Sequence, residues 1–119
     1  MYEYKIKEVI KIVDGDTVDV LIDLGFHTSV KKRIRLYGIN TPETRTRDKE
    51  EKKRGFAAKD RLIEMCEGAP LILKSHGLGK YGRVLGEILI KSKQGDSWNN
   101  VNKQLVKEGH AVEYYGGKR

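Results

Sequence analysis

An α+β chain carrying a five-stranded β-barrel is the fold class this sequence predicts, and three observations predict it. Between Tyr2 and Leu36, apolar residues recur with period two in runs separated by turn-forming residues. An apolar stripe with helical spacing follows, from Ala58 to Cys66. Two further apolar runs, at 71–73 and 84–90, come after it. Alternation marks half-buried strands, and i, i+4, i+7 spacing marks a helix laid against them.

Each element can be justified in order. In the first strand Tyr2, Tyr4, Ile6, Ile10 and Ile12 share one parity, expected to face inward, and Lys5, Lys7 and Lys11 the other. Asp14-Gly15 is a turn signal. The second strand sends Val18, Val20, Ile22 and Leu24 to one side, and a loop over 25–28 follows. A third strand places Val30, Ile34 and Leu36 inward and Lys31, Arg33, Arg35 and Tyr37 outward. Short turns between these runs predict an antiparallel meander. Thr41-Pro42-Glu43 breaks the alternation, and a charged stretch over 44–54 leads into a helix. Asp48 and Glu51 have the spacing of a capping box. Ala58, Leu62, Met65 and Cys66 form the face that packs on the sheet, and Gly68 and Pro70 end the helix. A glycine-rich loop separates the fourth and fifth strands, and a polar run over 91–100, containing Trp98, precedes a short helix at 101–108 stopped by Gly109. A helix between the third and fourth of five strands is the order of an OB-type barrel, a fold that commonly binds oligonucleotides on one face.

Length and composition narrow the function classes. The 119 residues suit one domain spanning 1–119, large enough to bury a core without a disulfide or structural metal. Cys66 is the single cysteine, expected as a buried thiol inside the helix. Lys and Arg number 24 against 17 Asp and Glu, a net charge of +7 that favours a polyanionic partner. The N-terminus lacks the apolar core of a signal peptide, and no stretch approaches membrane-spanning length, so no membrane partner is expected. No obligate protein partner is evident either.

Three clusters could carry chemistry: Asp14-Gly15-Asp16-Thr17, the run from Arg35 to Glu43, and Lys80-Tyr81-Gly82-Arg83. Hydrolysis of a phosphodiester builds negative charge at phosphorus, so cations must converge there. A carboxylate can align and deprotonate the attacking water. A hard cation with oxygen ligands can neutralise the phosphate. Arg serves better than Lys, because its planar fork holds two phosphate oxygens at once. Taken singly, each cluster also has a plain reading: a turn, a solvated strand face, a device for starting a helix, a hairpin.

The three clusters in this order, spelled Val13-Asp14-Gly15-Asp16-Thr17-Val18, Arg35-Leu36 with Thr41-Pro42-Glu43, and Lys80-Tyr81-Gly82-Arg83, resemble the staphylococcal nuclease family. The resemblance extends over 8–115 and implies an OB barrel with flanking helices. It implies that Asp16 binds Ca2+, with the position of Asn40 and the backbone carbonyl of Thr41 completing the protein's ligands, and Asp14 beside them. Glu43 corresponds to the carboxylate that orients or deprotonates water. Arg35 and Arg83 correspond to the phosphate clamp, Arg83 also lying near the leaving group. Lys80, Tyr81 and Tyr115 match positions that contact the nucleotide. The implied activity is cleavage of DNA, RNA or both, leaving 3′-phosphates. Two departures stand out: relatives commonly have Asp where this chain has Asn40, and they continue into another helix beyond the position of Tyr115.

Other readings carry less. Gly77-Leu78-Gly79-Lys80-Tyr81-Gly82 spells a dinucleotide fingerprint, but a strand is expected after it where that motif needs a helix. His27, His76, His110 and Cys66 are too scattered for a zinc site. A catalytically silent nucleic-acid-binding member of the same family is the main rival, favoured by Asn40 and opposed by Arg35, Glu43 and Arg83. A purely structural barrel leaves that set unexplained.

Overall fold

In a computed structural model, the structure describes residues 2–79, 82–92 and 95–115. Strands β1 (Tyr2–Asp14), β2 (Thr17–Gly25) and β3 (Thr28–Leu36) form the expected meander; β4 (Ile39–Asn40) follows, then helix α1 (Lys49–Cys66). The chain continues through β5 (Leu71–Leu78), β6 (Val84–Lys91), β7 (Trp98–Asn100), α2 (Val101–Lys107) and β8 (Val112–Glu113). Strand β1 pairs antiparallel with both β2 and β5, and β5 pairs with β6. A parallel seam between Ile34–Leu36 and Val84–Gly86 closes the ring. The barrel strands are therefore β1, β2, β3, β5 and β6, with α1 between the third and fourth, as the sequence predicts. The short strands β4, β7 and β8 are additions that the patterning does not reveal.

The inward face of β1 departs from strict alternation. Ile6 lies opposite Ile22, Val9 opposite Val20 and Ile12 opposite Val18, with a register shift in each interval. Each bulge adds a residue, so the inward set steps by three, and Val9 takes the place expected of Ile10. Ile10 is 41% exposed. Leu24, also expected inside, is exposed because β2 and β3 run past the barrel into a hairpin. Its two-residue tip puts Phe26 and His27 at φ 54° and 62°, where Asn-Gly is the common choice.

Within the barrel Val18, Val20, Ile34, Leu36, Leu73 and Ile88 are buried. Ala58 and Leu62 of α1 and Val101 and Leu105 of α2 cover the barrel and are buried with them. Truncating Leu62 to Ala would open a cavity costing about 2–5 kcal/mol. Asp48 caps α1 by accepting from the Glu50 and Glu51 N–H groups. Its own N–H is taken by Thr46 Oγ1 at 3.2 Å, where a capping box would use Glu51. Burial pushes the Cys66 thiol up to about 11, which makes it an unreactive packing group. Trp98, in the polar run expected as a loop, lies in β7 opposite Lys91 and is 39% exposed. Among the described residues no helix is long and apolar enough to cross a membrane.

Candidate active site

The site begins at the β1–β2 turn, because that turn is pressed under α1. A Cβ on Gly15 would sit 2.7 Å from the Ala58 Cβ and 3.1 Å from the Thr41 side chain. Only glycine lets turn, helix and the loop after β4 meet there. The flanking carboxylates then fasten that loop. Asp16, 9% exposed, accepts from Thr17 Oγ1 at 3.1 Å and from the Thr41 N–H at 3.0 Å. Asp14 accepts a hydrogen bond from Thr44 Oγ1.

Arg35 is brought in by strand register. It lies opposite Thr17, so its side chain reaches the same turn. Its Nη1 donates to the Leu36 carbonyl at 2.9 Å, and its Nη2 donates to Asn40 Oδ1. The same Nη2 lies 3.5 Å from Asp16 Oδ2. Asn40 and Thr41 are buried, Asn40 being held in β4 opposite Val112. A nearly buried guanidinium needs such partners, since an unpaired charge there would be costly.

The remaining predicted residues surround this centre. Glu43 is exposed on the loop that follows Thr41. A Cβ on Gly55 would stand 2.6 Å from the Glu43 carbonyl oxygen, so α1 rests directly on the Glu43 peptide. Arg83 is partly buried and immediately precedes the seam in which Val84 meets Ile34 and Leu85 meets Arg35. Its carbonyl accepts from the Gly79 N–H at 2.7 Å. Tyr115 stands over Gly38, its ring edge-on to Tyr37 at 5.7 Å, and is 72% exposed. The Tyr114 N–H anchors that segment to the Gly38 carbonyl at 2.8 Å. Lys80 and Tyr81 lie outside the described residues.

The structure thus joins Asp16, Arg35, Asn40 and Thr41 by direct contacts, with Asp14 tied to the same loop and Glu43 and Tyr115 on adjoining backbone. Among the described residues no three His, Cys, Asp or Glu side chains converge. A cation here would therefore draw on a carboxylate, an amide oxygen and a backbone carbonyl, an all-oxygen set that suits Ca2+ chemically. That set brings one formal negative charge, and both Asp16 and Asn40 already face Arg35.

Two positions escaped the sequence reading. Thr44 ties the loop to Asp14. Asn102, 2% exposed, donates to the Tyr37 carbonyl at 2.9 Å and the Gly86 carbonyl at 3.1 Å, and accepts from the Ile88 N–H at 3.3 Å. It staples α2 across the barrel seam next to Arg35. Its signal was an amide inside a helix otherwise packed through Val101 and Leu105.

The family model described as staphylococcal nuclease homologue matches residues 33–119. The chain is similar to Protein ParB of Escherichia coli, 31% identical over 110 residues, covering 90% of this chain and 56% of that one. It is similar to Micrococcal nuclease of Shigella flexneri, 31% identical over 114 residues, covering 92% of this chain and 59% of that one. Endonuclease YhcR of Bacillus subtilis is 30% identical over 113 residues, 88% of this chain and 8% of the relative. The chain thus spans little more than half the length of the first two. A barrel closed at Arg35, the turn carboxylates gathered beneath α1 and the match from residue 33 to 119 agree: this chain belongs to the staphylococcal nuclease family.

Proposed function

We propose that the chain is a Ca2+-dependent nuclease, hydrolysing phosphodiester bonds of DNA, RNA or both and leaving 3′-phosphates. One observation carries the reading: Arg35, Asp16, Asn40 and Thr41 meet in one buried cluster at the mouth of the closed barrel. The names of two relatives, Micrococcal nuclease and Endonuclease YhcR, support the reaction class.

In this mechanism Arg35 and Arg83 bind the scissile phosphate and offset the charge that develops on its oxygens. Arg35 must exchange its bond to Asn40 for one to substrate, which couples phosphate binding to release of the Asn40 carbonyl oxygen. Glu43, exposed on the loop that α1 supports, takes a proton from the attacking water. Tyr115 offers an exposed ring and hydroxyl to the nucleotide, and Lys80 and Tyr81 belong to the same contact set by sequence. Asp16, Asn40 and the Thr41 carbonyl would hold Ca2+, which when bound neutralises phosphate charge and acidifies a coordinated water.

The test is incubation with denatured DNA and with RNA, in calcium or in excess chelator. Cleavage in calcium alone, with 3′-phosphate ends, is the expected result; equal cleavage in chelator would sink the metal-dependent mechanism. The bond from Arg35 to Asn40 favours a second reading, a family member that binds nucleic acid without cutting it. Calcium-independent binding with no turnover at any calcium concentration would select that reading.

A further inference from the structure

The hydrolytic centre does not account for a groove of about 540 Å³ between β1, the loop after Glu43 and α1. Its walls carry Lys11, Arg45, Arg47, Lys52 and Lys59, and among the described residues no carboxylate lines it. Two arginines elsewhere are matched: Arg33 pairs with Asp19, and Arg61 with Glu108 and Glu64. Among the described residues none of the five groove cations forms a salt bridge. Gathering like charges around one concavity opposes folding, and a surface shaped by stability alone would intersperse carboxylates. The groove also displays Phe56, 42% exposed, with Lys59 Nζ 5.8 Å from its ring centroid. A cationic channel with an exposed aromatic is what single-stranded nucleic acid requires, the charges for its phosphates and the ring for a base.

The groove is tied through one residue to the turn of the candidate site. Thr44 lines it and donates to Asp14, on the turn that carries Asp16. We propose that a single nucleic-acid strand passes from the scissile position into this groove, which takes about two or three further phosphates on its cations and a base against Phe56. The direction of the strand rests on the proposed nuclease activity; the binding itself does not. An enzyme so equipped favours long single strands over dinucleotides.

The test compares the full chain with the triple variant Arg45→Gln/Arg47→Gln/Lys52→Gln and with Phe56→Ala. Binding of an oligothymidylate of about twelve nucleotides is followed in chelator over roughly 50–300 mM salt. In calcium, kcat/KM is measured on that strand and on a dinucleotide. The triple variant should bind the long strand about 10- to 100-fold more weakly, with a salt slope shallower by about 2, the value for three phosphates. Its dinucleotide cleavage should be unchanged, and its Tm equal or higher, since repulsion is relieved. Phe56→Ala should weaken long-strand binding about 5- to 100-fold with the slope retained. Should the triple variant not unfold cooperatively, Arg47→Gln alone should reduce the slope by about 0.7.

Unchanged affinity and slope would overturn the inference. So would an equal loss on the dinucleotide, which would place these cations at the scissile phosphate. Binding to phosphatidylserine vesicles that depends on the groove, with oligothymidylate binding that does not, would overturn it in favour of a membrane surface. A wild-type chain that cuts nothing, with long-strand binding still lost in the variants, would refute the nuclease reading and leave the groove standing.

Discussion

Two arginines stand two residues apart on β3, one near Asp19 of β2 and one near Asp16 of the β1–β2 turn, and their circumstances differ sharply. Arg33 lies directly opposite Asp19 and grips it with both arms, Nε to Oδ1 at 2.8 Å and Nη2 to Oδ2 at 3.1 Å. The hydrogen bond from Arg33, together with its charge and those of Lys31 and Lys11, outweighs burial and holds the Asp19 carboxyl below the usual carboxylate range. Arg35 meets Asp16 at only 3.5 Å and divides its donors between a carbonyl and the Asn40 amide. The first pair satisfies itself, and neither charge is left for a ligand. In the second, the guanidinium donates to two neutral oxygens, which a phosphate can replace, and meets the Asp16 carboxylate at longer range. Under the proposed function Arg35 has to be held without being used up, and the Asn40 and Leu36 oxygens are partners that a phosphate can replace.

The same substitution at both arginines should separate them most widely. Arg35→Lys should cut kcat by about 10²–10³, or 2–4 kcal/mol, because the fork across two phosphate oxygens is lost. Arg33→Lys should leave kcat within about threefold. Steady-state kinetics on single-stranded DNA checks both, and comparable losses would erase the distinction. Next in size is Glu43→Gln, expected to slow the chemical step about 10²-fold while oligonucleotide affinity persists. Single-turnover measurements beside a binding titration separate the two.

Asn40→Asp probes how loosely Arg35 is held. The new carboxylate should lower the calcium concentration for half-maximal activity about three- to tenfold, since ligand charge sets affinity. Its repulsion with Asp16 would be offset by Arg35, which already contacts both positions, so the metal-free Tm should hardly move. Weaker calcium binding would remove position 40 from the ligand set. The smallest expected effect belongs to Asp19→Asn, about 1 kcal/mol at neutral pH once the exposure of Arg33 is allowed for. Its sign follows from a folded pKa below the unfolded one. The parent's extra stability is complete above the unfolded value near 4 and is lost as pH falls through the folded one. Urea denaturation at pH 7 and at progressively lower pH should show the difference present and then shrinking.

Much of this was legible in the sequence, and what was not shares a cause. The barrel order could be read because apolar alternation and the Ala58–Leu62 stripe are local periodicities that burial enforces. The exchange of Ile10 for Val9 could not, since bulges in β1 arise from pairing with β2. The Arg33–Asp19 pair depends on that same cross-strand register, and a single sequence lists Arg33 and Arg35 as equals. Asp16, Asn40 and Thr41 were recognised as a set by their spelling, but the hydrogen bond that gives Asn40 to Arg35 is visible only in three dimensions. Gly15 and Gly55 look like turn and helix residues until α1 is seen lying on the loop.

The parallel seam also governs when the site comes into existence. Ile34 and Val84 meet across about fifty residues of chain, so this contact carries a loop-closure cost that the local hairpins do not. Arg35 and Arg83 stand at that seam, and Asn102 locks it from α2. During refolding the β1–β3 hairpins and α1 can form while the two arginines remain far apart. Recovery of hydrolysis should therefore track the slow, long-range step and lag the far-ultraviolet circular dichroism signal. Under the proposed function, an enzyme assembled in this order would stay inert while its chain is incomplete, and turnover would become the clock that reports barrel closure.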